Sequence, residues 1–291
     1  MTSHTDHRAT ESTADGPMAA LDAWMAANPW HPRLLPFLVY VLALPVIEAA
    51  QRWSLHAVPV LYVVQLGLVV WLLWRYRRLL PEVTLRFHWL AVPVGAALCA
   101  AWIGLGHAMV RLSPGWLGPD AGAHLFERME GGLWGVSLAL RLVGMVLIVP
   151  VFEELFVRSA CLRGLHSPRK TWIGLVQVME DLPVVGDWVA ETRYGRRVAR
   201  YPAMFTRQLR EWPVGRLTWF GVGASTVVFM VSHAMRDWPG AIACGVAWCG
   251  LVWWTNRGER RLGLGPVIWS HGITNALLWG WCVWTGQWWF L

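Results

Sequence analysis

The chain has 291 residues, of which 56% are hydrophobic and 15% charged, whereas ordinary globular proteins are about 45–50% hydrophobic and about 25% charged. With 23 Trp and a mean hydropathy of +0.40, this composition excludes disordered, collagen-like and disulfide-scaffold proteins and predicts a membrane protein. The formal charge of +7 comes almost wholly from arginines that flank the hydrophobic segments. We attribute it to membrane topology and expect no nucleic-acid partner.

Residues 1–30 form a polar tail without the features of a cleavable signal peptide, so the first hydrophobic segment is expected to stay as a signal anchor. The rest, 31–291, is the predicted membrane domain. It contains hydrophobic runs that are each near the roughly 20 residues of a spanning helix, at 34–51, 55–74, 87–110, 133–157, 217–235, 239–256 and 264–284. We therefore predict an all-α, polytopic transmembrane helix bundle of about seven spans, within a range of about six to eight.

Basic residues are concentrated in alternate connections between these runs. Segments 75–86, 159–216 and 257–261 together carry 17 Lys and Arg residues, whereas the intervening connections carry four. Because cytoplasmic loops of membrane proteins are enriched in Lys and Arg, these three segments are predicted to face the cytoplasm. The N-terminus is then inside and the C-terminus outside.

Segment 159–216 is far more polar than the rest of the membrane domain, with ten basic and five acidic side chains. It is too long for an ordinary interhelical connection, which favours a functional insertion or a small amphipathic subdomain. Its basic cluster consists of Arg193, Arg196, Arg197 and Arg200. Such a cluster is typical of binding to anionic lipid headgroups, with substrate recognition as the second interpretation.

Ionisable side chains inside the hydrophobic runs are the strongest functional signal, because each costs about 2.5–3.5 kcal/mol to insert. The candidates are Arg141, Glu153, Glu154, the adjacent Arg158, His233 and His271, and the amide of Asn275 follows His271 by one helical turn. The other histidines lie in polar tails, loops or span ends, and we expect no catalytic role for them. Each candidate alone is more often a structural contact, and Arg141 is interpreted as structural or snorkelling. Their combination is harder to explain by packing.

Helical spacing predicts how these side chains are arranged. Glu154 and Arg158 are four residues apart and can pair along one face, which leaves Glu153 about 100° round the helix. His271 and Asn275 share a face, as do Phe229 and His233. Three helices can thus direct a carboxylate, an imidazole, and an imidazole with an amide towards a common point.

Such a group of side chains has the parts of a hydrolytic site. Glu153 can act as the general base on a water that His233 helps to position. His271 and Asn275 can donate hydrogen bonds to the oxyanion of a tetrahedral intermediate. Glu154 and Arg158 would support these groups from behind.

The order Glu-Glu-x-x-x-Arg at 153–158, Phe-x-x-x-His at 229–233 and His-x-x-x-Asn at 271–275 resembles the type II CAAX prenyl endopeptidase family, also called the ABI or bacteriocin-processing family. Its members are glutamate intramembrane proteases. The resemblance covers roughly residues 130–280, and Thr255-Asn256-Arg257 fits it loosely. The end of the chain is similar to a bacterial subgroup found beside exosortase/PEP-CTERM sorting systems.

The resemblance implies Glu153 as the water-activating base, His233 beside it, His271 and Asn275 as the oxyanion hole, and Glu154 and Arg158 as supports. It further implies a bacterial inner-membrane protease without a cofactor, a membrane-associated peptide or protein as substrate, and exosortase-type sorting machinery as a partner. Two features depart from the family pattern. Segment 159–216 makes the gap between the first two motifs unusually long, and hydropathy places His233 nearer the outer side than Glu153 and His271.

Two other functions remain open from the sequence. Glu153, Glu154, His233 and His271 could instead hold a divalent metal, since two imidazoles and a carboxylate suit zinc, although the chain has no HExxH motif. The protein could also be a non-catalytic membrane scaffold or immunity protein that keeps the fold and binds a partner. A transporter is disfavoured because the chain has no repeated halves.

Overall fold

The structure is a computed structural model that describes residues 16–113, 125–180, 185–259 and 261–290. Within these ranges the regular elements are all helical, which confirms the predicted all-α fold. The helices are α1 (Pro17–Ala27), α2 (His31–Gln51), α3 (Ala57–Arg75), α4 (Ala91–Leu112), α5 (Gly131–Gly164), α6 (Pro168–Glu180), α7 (Val185–Glu191), α8 (Arg193–Val198), α9 (Met204–Glu211), α10 (Trp219–Val231), α11 (Trp238–Asn256) and α12 (Gly265–Thr285).

Each of the predicted hydrophobic runs contains one helix. Helices α2, α3, α4 and α5 are long and apolar enough to cross a membrane, which supports a membrane protein. Helix α10 is apolar but has only 13 residues, and α11 and α12 have 19 and 21. The count of about seven spans stays a prediction.

Helix α5 is the longest element and carries the first motif. Its 34 residues extend over roughly 50 Å, more than the roughly 30 Å of a hydrocarbon core. Two wide π-helical turns interrupt its α-helical hydrogen bonding, at Gly144–Ile148 and Leu155–Cys161. Such turns occur often at functional sites. Here they flank Glu153 and Glu154 on both sides.

Helix α12 packs closely against both α4 and α5. At Gly272, a Cβ atom would lie 2.7 Å from the carbonyl oxygen of Val146 in the first wide turn of α5. At Gly95 of α4, a Cβ atom would lie 2.7 Å from the carbonyl oxygen of Ser270. Both glycines allow backbones to approach where a larger residue would separate them. The contact at Gly272 places the neighbouring His271 directly beside α5.

The polar segment after α5 folds into four short helices, α6 to α9. These helices enclose a small hydrophobic core of their own, made by Ile173, Val176, Val189, Val198 and Met204. The four arginines of the predicted basic cluster are all exposed on or next to α8. The segment is therefore a small helical subdomain, and its first residues, 159–164, are the last turns of α5.

A buried ion cluster connects this subdomain to the bundle. It consists of Arg33, Glu82, Ser159 and Arg163, and we call it the clamp. Arg33 donates to both carboxylate oxygens of Glu82, at 2.6 and 2.9 Å, and Arg163 Nη1 lies 3.4 Å from Glu82 Oε1. Ser159 also donates to Glu82 and accepts from Arg163 at 2.9 Å.

Backbone groups complete the clamp. Arg163 donates to the carbonyl oxygens of Leu209 and Trp212 at the end of α9, the second at 2.7 Å. Burial would raise the pKa of Glu82, but the charge and hydrogen bonds of Arg33 and the hydroxyl of Ser159 outweigh it and hold that pKa below its ordinary value. The clamp thus favours the charged form of Glu82 and joins α2, α5 and α9.

Candidate active site

The predicted motif residues meet at one cavity inside the bundle. It has a volume of about 170 Å³ and lies between α5, α10, α11 and α12, with α2 and α4 contributing one residue each. Its wall includes the side chains of the four predicted catalytic residues: Glu153, His233, His271 and Asn275. These residues are up to 122 positions apart in the chain, so the fold brings together what hydropathy placed at different depths.

Adjacent carboxylates on α5 lie in different surroundings. Glu154 is fully buried, whereas the side chain of Glu153 keeps 14% of its surface accessible and lines the cavity. Glu154 pairs with Arg158, with 3.3 Å between Oε2 and Nε, which confirms the predicted pair. The offset of Glu153 round the helix therefore leaves it facing the cavity.

Arg158 is fully buried among aromatic rings. Its guanidinium lies 5.3 Å from the ring centre of Phe229 and 5.8 Å from that of Trp248. Among the described residues, no hydrogen bond reaches its three nitrogens, and the ion pair with Glu154 lacks hydrogen-bonding geometry. The arginine is stabilised by the Glu154 charge and by cation–π contacts, and Phe229 belongs to its support.

His271 lies between the two carboxylates. Its Nδ1 is 2.9 Å from Glu154 Oε1, and its Nε2 is 3.8 Å from Glu153 Oε2. Because a carboxylate accepts the first contact, Nδ1 carries a proton and donates to Glu154. The ring stacks on Trp248 at 4.3 Å between centres. Glu154 and Trp248 thus fix the orientation of the imidazole, with Nε2 directed at Glu153.

His233 lies just beyond the end of α10 rather than within a helix. Its Nδ1 is 2.8 Å from the carbonyl oxygen of Phe229, and its ring is 5.3 Å from that of Trp102. Donation from Nδ1 to this carbonyl leaves Nε2 as the nitrogen that can accept a hydrogen bond. His233 can therefore accept a hydrogen bond from a water in the cavity.

Asn275 is held by the first wide turn of α5. Its Nδ2 donates to the carbonyl oxygen of Met145 at 2.8 Å. Since an amide nitrogen carries two hydrogens, one remains available to a second acceptor. Asn275 and His271 both line the cavity from one face of α12, as their spacing predicts.

Sequence reasoning missed several residues that form this site. Trp248 supports both Arg158 and His271, and its Nε1 donates to Ser270 at 3.1 Å. Phe290, near the end of the chain, also lines the cavity. A lone tryptophan or phenylalanine in a hydrophobic run carries no sequence signal that separates it from the core. Arg141, which was interpreted as structural, also lines the cavity.

The geometry gives the zinc alternative no support. Within the described ranges, no three His, Cys, Asp or Glu side chains are arranged to hold a metal ion. His271 instead makes its close contact with Glu154, and His233 bonds to a backbone carbonyl.

Four groups thus surround one small cavity. They are the partly accessible carboxylate of Glu153, the hydrogen-bond-accepting imidazole of His233, the oriented imidazole of His271, and the amide of Asn275 with one hydrogen still available. Comparison of the chain with protein-family models, with curated proteins and with solved structures gives no match. The motif resemblance therefore stands on the residues at 153–158, 229–233 and 271–275 alone.

Proposed function

We propose that the protein is an intramembrane endopeptidase that hydrolyses a peptide bond of a membrane-associated protein or peptide with a glutamate-activated water. The observation that carries this proposal is the meeting of Glu153, His233, His271 and Asn275 at one cavity, with His271 oriented by Glu154 at 2.9 Å. Four polar groups are costly to keep together in a membrane domain, which favours a functional reason for their convergence.

In this mechanism Glu153 removes a proton from a water that also bonds to His233. The hydroxide attacks the carbonyl carbon of the scissile bond, and the carbonyl oxygen becomes an oxyanion. The second hydrogen of Asn275 Nδ2 is available to that oxygen, and so is Nε2 of His271 when it is protonated. The proton on Glu153 then passes to the leaving nitrogen as the C–N bond breaks.

The decisive experiment compares protein and peptide termini in membranes that contain either the wild type or the Glu153→Gln variant at matched abundance. Loss of a general base costs about 10²–10⁴-fold in rate, so termini produced by the wild type should disappear. Glu211→Gln is the matched control, because Glu211 is an exposed carboxylate of α9, 56% accessible, that pairs with Arg207 at 2.7 Å and does not line the active-site cavity.

The same comparison separates the competing functions. Identical termini with wild type and Glu153→Gln would refute the protease and leave the scaffold or immunity protein as the leading function. Wild-type cleavage that a chelator abolishes, and that added zinc restores, would instead establish the metal-dependent alternative.

We further propose that the protein lies in a bacterial inner membrane with its N-terminus in the cytoplasm and its C-terminus outside, from the distribution of basic residues. Reporter fusions within residues 168–180 and at the C-terminus should report opposite sides, and the same side for both would contradict this topology. Exosortase-type machinery as a partner remains a prediction from the resemblance.

Anionic lipids are the partner that we propose for the helical subdomain. On α6, Trp172, Leu175 and Met179 are exposed at helical spacing, and Leu175 shares an apolar cavity of about 210 Å³ with Phe156 of α5. This face is thus continuous with a spanning helix, and the exposed Arg cluster on α8 belongs to the same subdomain. Native mass spectrometry should find preferential retention of phosphatidylglycerol over phosphatidylcholine, and equal retention would contradict the proposal.

A further inference from the structure

Arg141 lies on the wall between two cavities. One is the cavity of the candidate active site, and the other is a larger cavity of about 430 Å³. The second half of α2, the start of α3 and the first turns of α5 line the larger cavity, with Glu48 and Gln51 among its polar residues. These parts of the chain lie at the end of α5 opposite to the clamp. We call this second space the outer cavity.

The active-site cavity has a charged group at each end. Along α5 its wall is formed by Arg141, Met145, Val149 and Glu153, a series at intervals of four residues. On α-helical geometry the first and last of these are about 18 Å apart along the axis. A cation thus lies at the outer-cavity end, and the carboxylate of Glu153 lies at the other.

An extended peptide that lies along this series is matched to its length. At about 3.3 Å per residue, about 18 Å corresponds to about five residues. If the scissile carbonyl is at Glu153, a residue about four to six positions away reaches Arg141. Glu153 repels an acidic group near the scissile bond, and Arg141 attracts one at the far end.

We propose that Arg141 is a substrate-binding residue that recognises a carboxylate about four to six residues from the cleaved bond, supplied by an acidic side chain or by the C-terminus of the substrate. The substrate would then enter from the outer cavity. This inference rests on the proposed function, and it names the class of peptide that the site accepts.

Contacts within the bundle explain how Arg141 is accommodated before substrate binds. Its guanidinium lies 5.9 Å from the ring centre of Tyr62, a cation–π contact that lowers the cost of a charge in this position. The acidic group of the outer cavity, Glu48, is held by Arg52 at 3.6 Å and is 64% exposed. A substrate carboxylate would therefore bring a charged partner to a guanidinium that contacts the Tyr62 ring.

The test is the cleavage profile of a randomised peptide library, made with free and with amidated C-termini and incubated with the purified full chain in detergent. Mass spectrometry of the products gives the residue preference at each distance from the cut. We expect the wild type to prefer Asp, Glu or a free C-terminus four to six residues away. A charge-assisted hydrogen bond makes this preference about 10- to 100-fold. The amidated arm distinguishes the terminus from an acidic side chain.

Variants of Arg141 determine whether this residue is the origin of the preference. Arg141→Gln should abolish the preference, and Arg141→Lys should retain it in weaker form, because a lysine keeps the charge without the planar fork. Arg111→Gln is the matched control, since Arg111 is exposed in the last turn of α4, and it should keep the wild-type profile.

Three outcomes would contradict this inference. A wild-type profile without acidic preference at that distance would overturn it while leaving the protease intact, and so would a preference that persists in Arg141→Gln. A wild type that cuts neither library nor membrane proteins would overturn the proposed function together with it.

Discussion

Helix α5 carries two buried ion clusters that differ in how completely their hydrogen bonds are made. In the clamp, Arg33 and Arg163 donate to carboxylate, hydroxyl and backbone oxygens. The active-site cluster consists of Glu153, Glu154, Arg158 and His271. In it, Arg158 faces aromatic rings and has an ion pair of poor geometry, and Glu153 faces a cavity. A fully bonded network rigidifies a fold, whereas an incompletely bonded one retains capacity for a ligand. We infer that the clamp is structural and that the active-site cluster is where chemistry occurs.

The largest expected effect is on stability, from Glu82→Gln in the clamp. Removal of this buried carboxylate leaves two guanidinium groups without their counterion and should lower the free energy of unfolding by about 3–5 kcal/mol at neutral pH. Thermal and denaturant unfolding in detergent measure the loss. Glu211→Gln is the control, because its pair with Arg207 is exposed and should contribute about 0.3–0.5 kcal/mol.

The pH dependence of this difference follows from the lowered pKa of Glu82. A carboxylate whose pKa is lower in the folded state stabilises the fold above its unfolded pKa and loses that contribution as pH falls through the folded one. The gap between wild type and Glu82→Gln should therefore be full at neutral pH and should shrink only below the ordinary glutamate range. A gap that closes near neutrality would contradict an ionised Glu82.

The next effect is on activity, from His271→Gln in the active-site cluster. Loss of an oxyanion donor typically costs about 10²–10³-fold in rate, and the glutamine can still donate to Glu154, which limits the loss of stability. The rate at which new termini form measures the loss of activity, and the unfolding midpoint measures the loss of stability. His56→Gln, at an exposed histidine before α3, is the control. A variant that unfolds like Glu82→Gln while the surviving folded protein stays active would reverse the assignment of the two clusters.

The smallest effect is expected for Arg163→Lys. The lysine keeps the positive charge beside Glu82 but loses the fork that reaches Leu209 and Trp212, which should cost about 1–3 kcal/mol. Limited proteolysis should cut residues 168–180 faster than in the wild type, and activity of the intact chain should be retained. Arg169→Lys, at the exposed start of α6, should not change the cutting rate.

Sequence reasoning singled out the members of the active-site cluster because they violate the hydrophobic pattern. A Glu or His inside a long apolar run is visible without any partner, and helical spacing then supplied the Glu154–Arg158 pair. The hydrogen-bond partner of His271 was harder to predict from the sequence. The contact with Glu154 joins residues 117 positions apart, and local spacing carries no information on such a distance.

The clamp escaped prediction for a related reason. Arg33 directly precedes a hydrophobic run and Glu82 lies in the connection 75–86, and charged residues at such positions are common and are normally solvated. Only the fold brings Arg33, Glu82 and Ser159 together. Asn256 shows the same limit: its side chain bonds both backbone groups of Gly263, at 2.8 and 2.9 Å, so it shapes the connection between α11 and α12.

The bounds of the helices differ where local chemistry overrides hydropathy. The predicted run 133–157 continues as α5 to Gly164, because Arg158 and Arg163 are each neutralised by buried partners and do not end the helix. The predicted run 217–235 is shorter, because Ser232 bonds to the carbonyl oxygen of Phe229 at 2.7 Å and α10 ends at Val231. His233 therefore gains a turn conformation that periodicity does not predict.

The first wide turn of α5 changes the direction in which Arg141 faces relative to Glu153. Twelve α-helical residues turn by about 120° beyond whole revolutions, so Arg141 and Glu153 would face different directions on a regular helix. One extra residue in a wide turn removes about 100° of that offset. Deletion of a single residue within 144–148 would accordingly swing Arg141 out of line with Glu153. One extra residue in the helix thus sets the direction in which Arg141, the proposed recognition residue, faces relative to Glu153 at the cleaved bond.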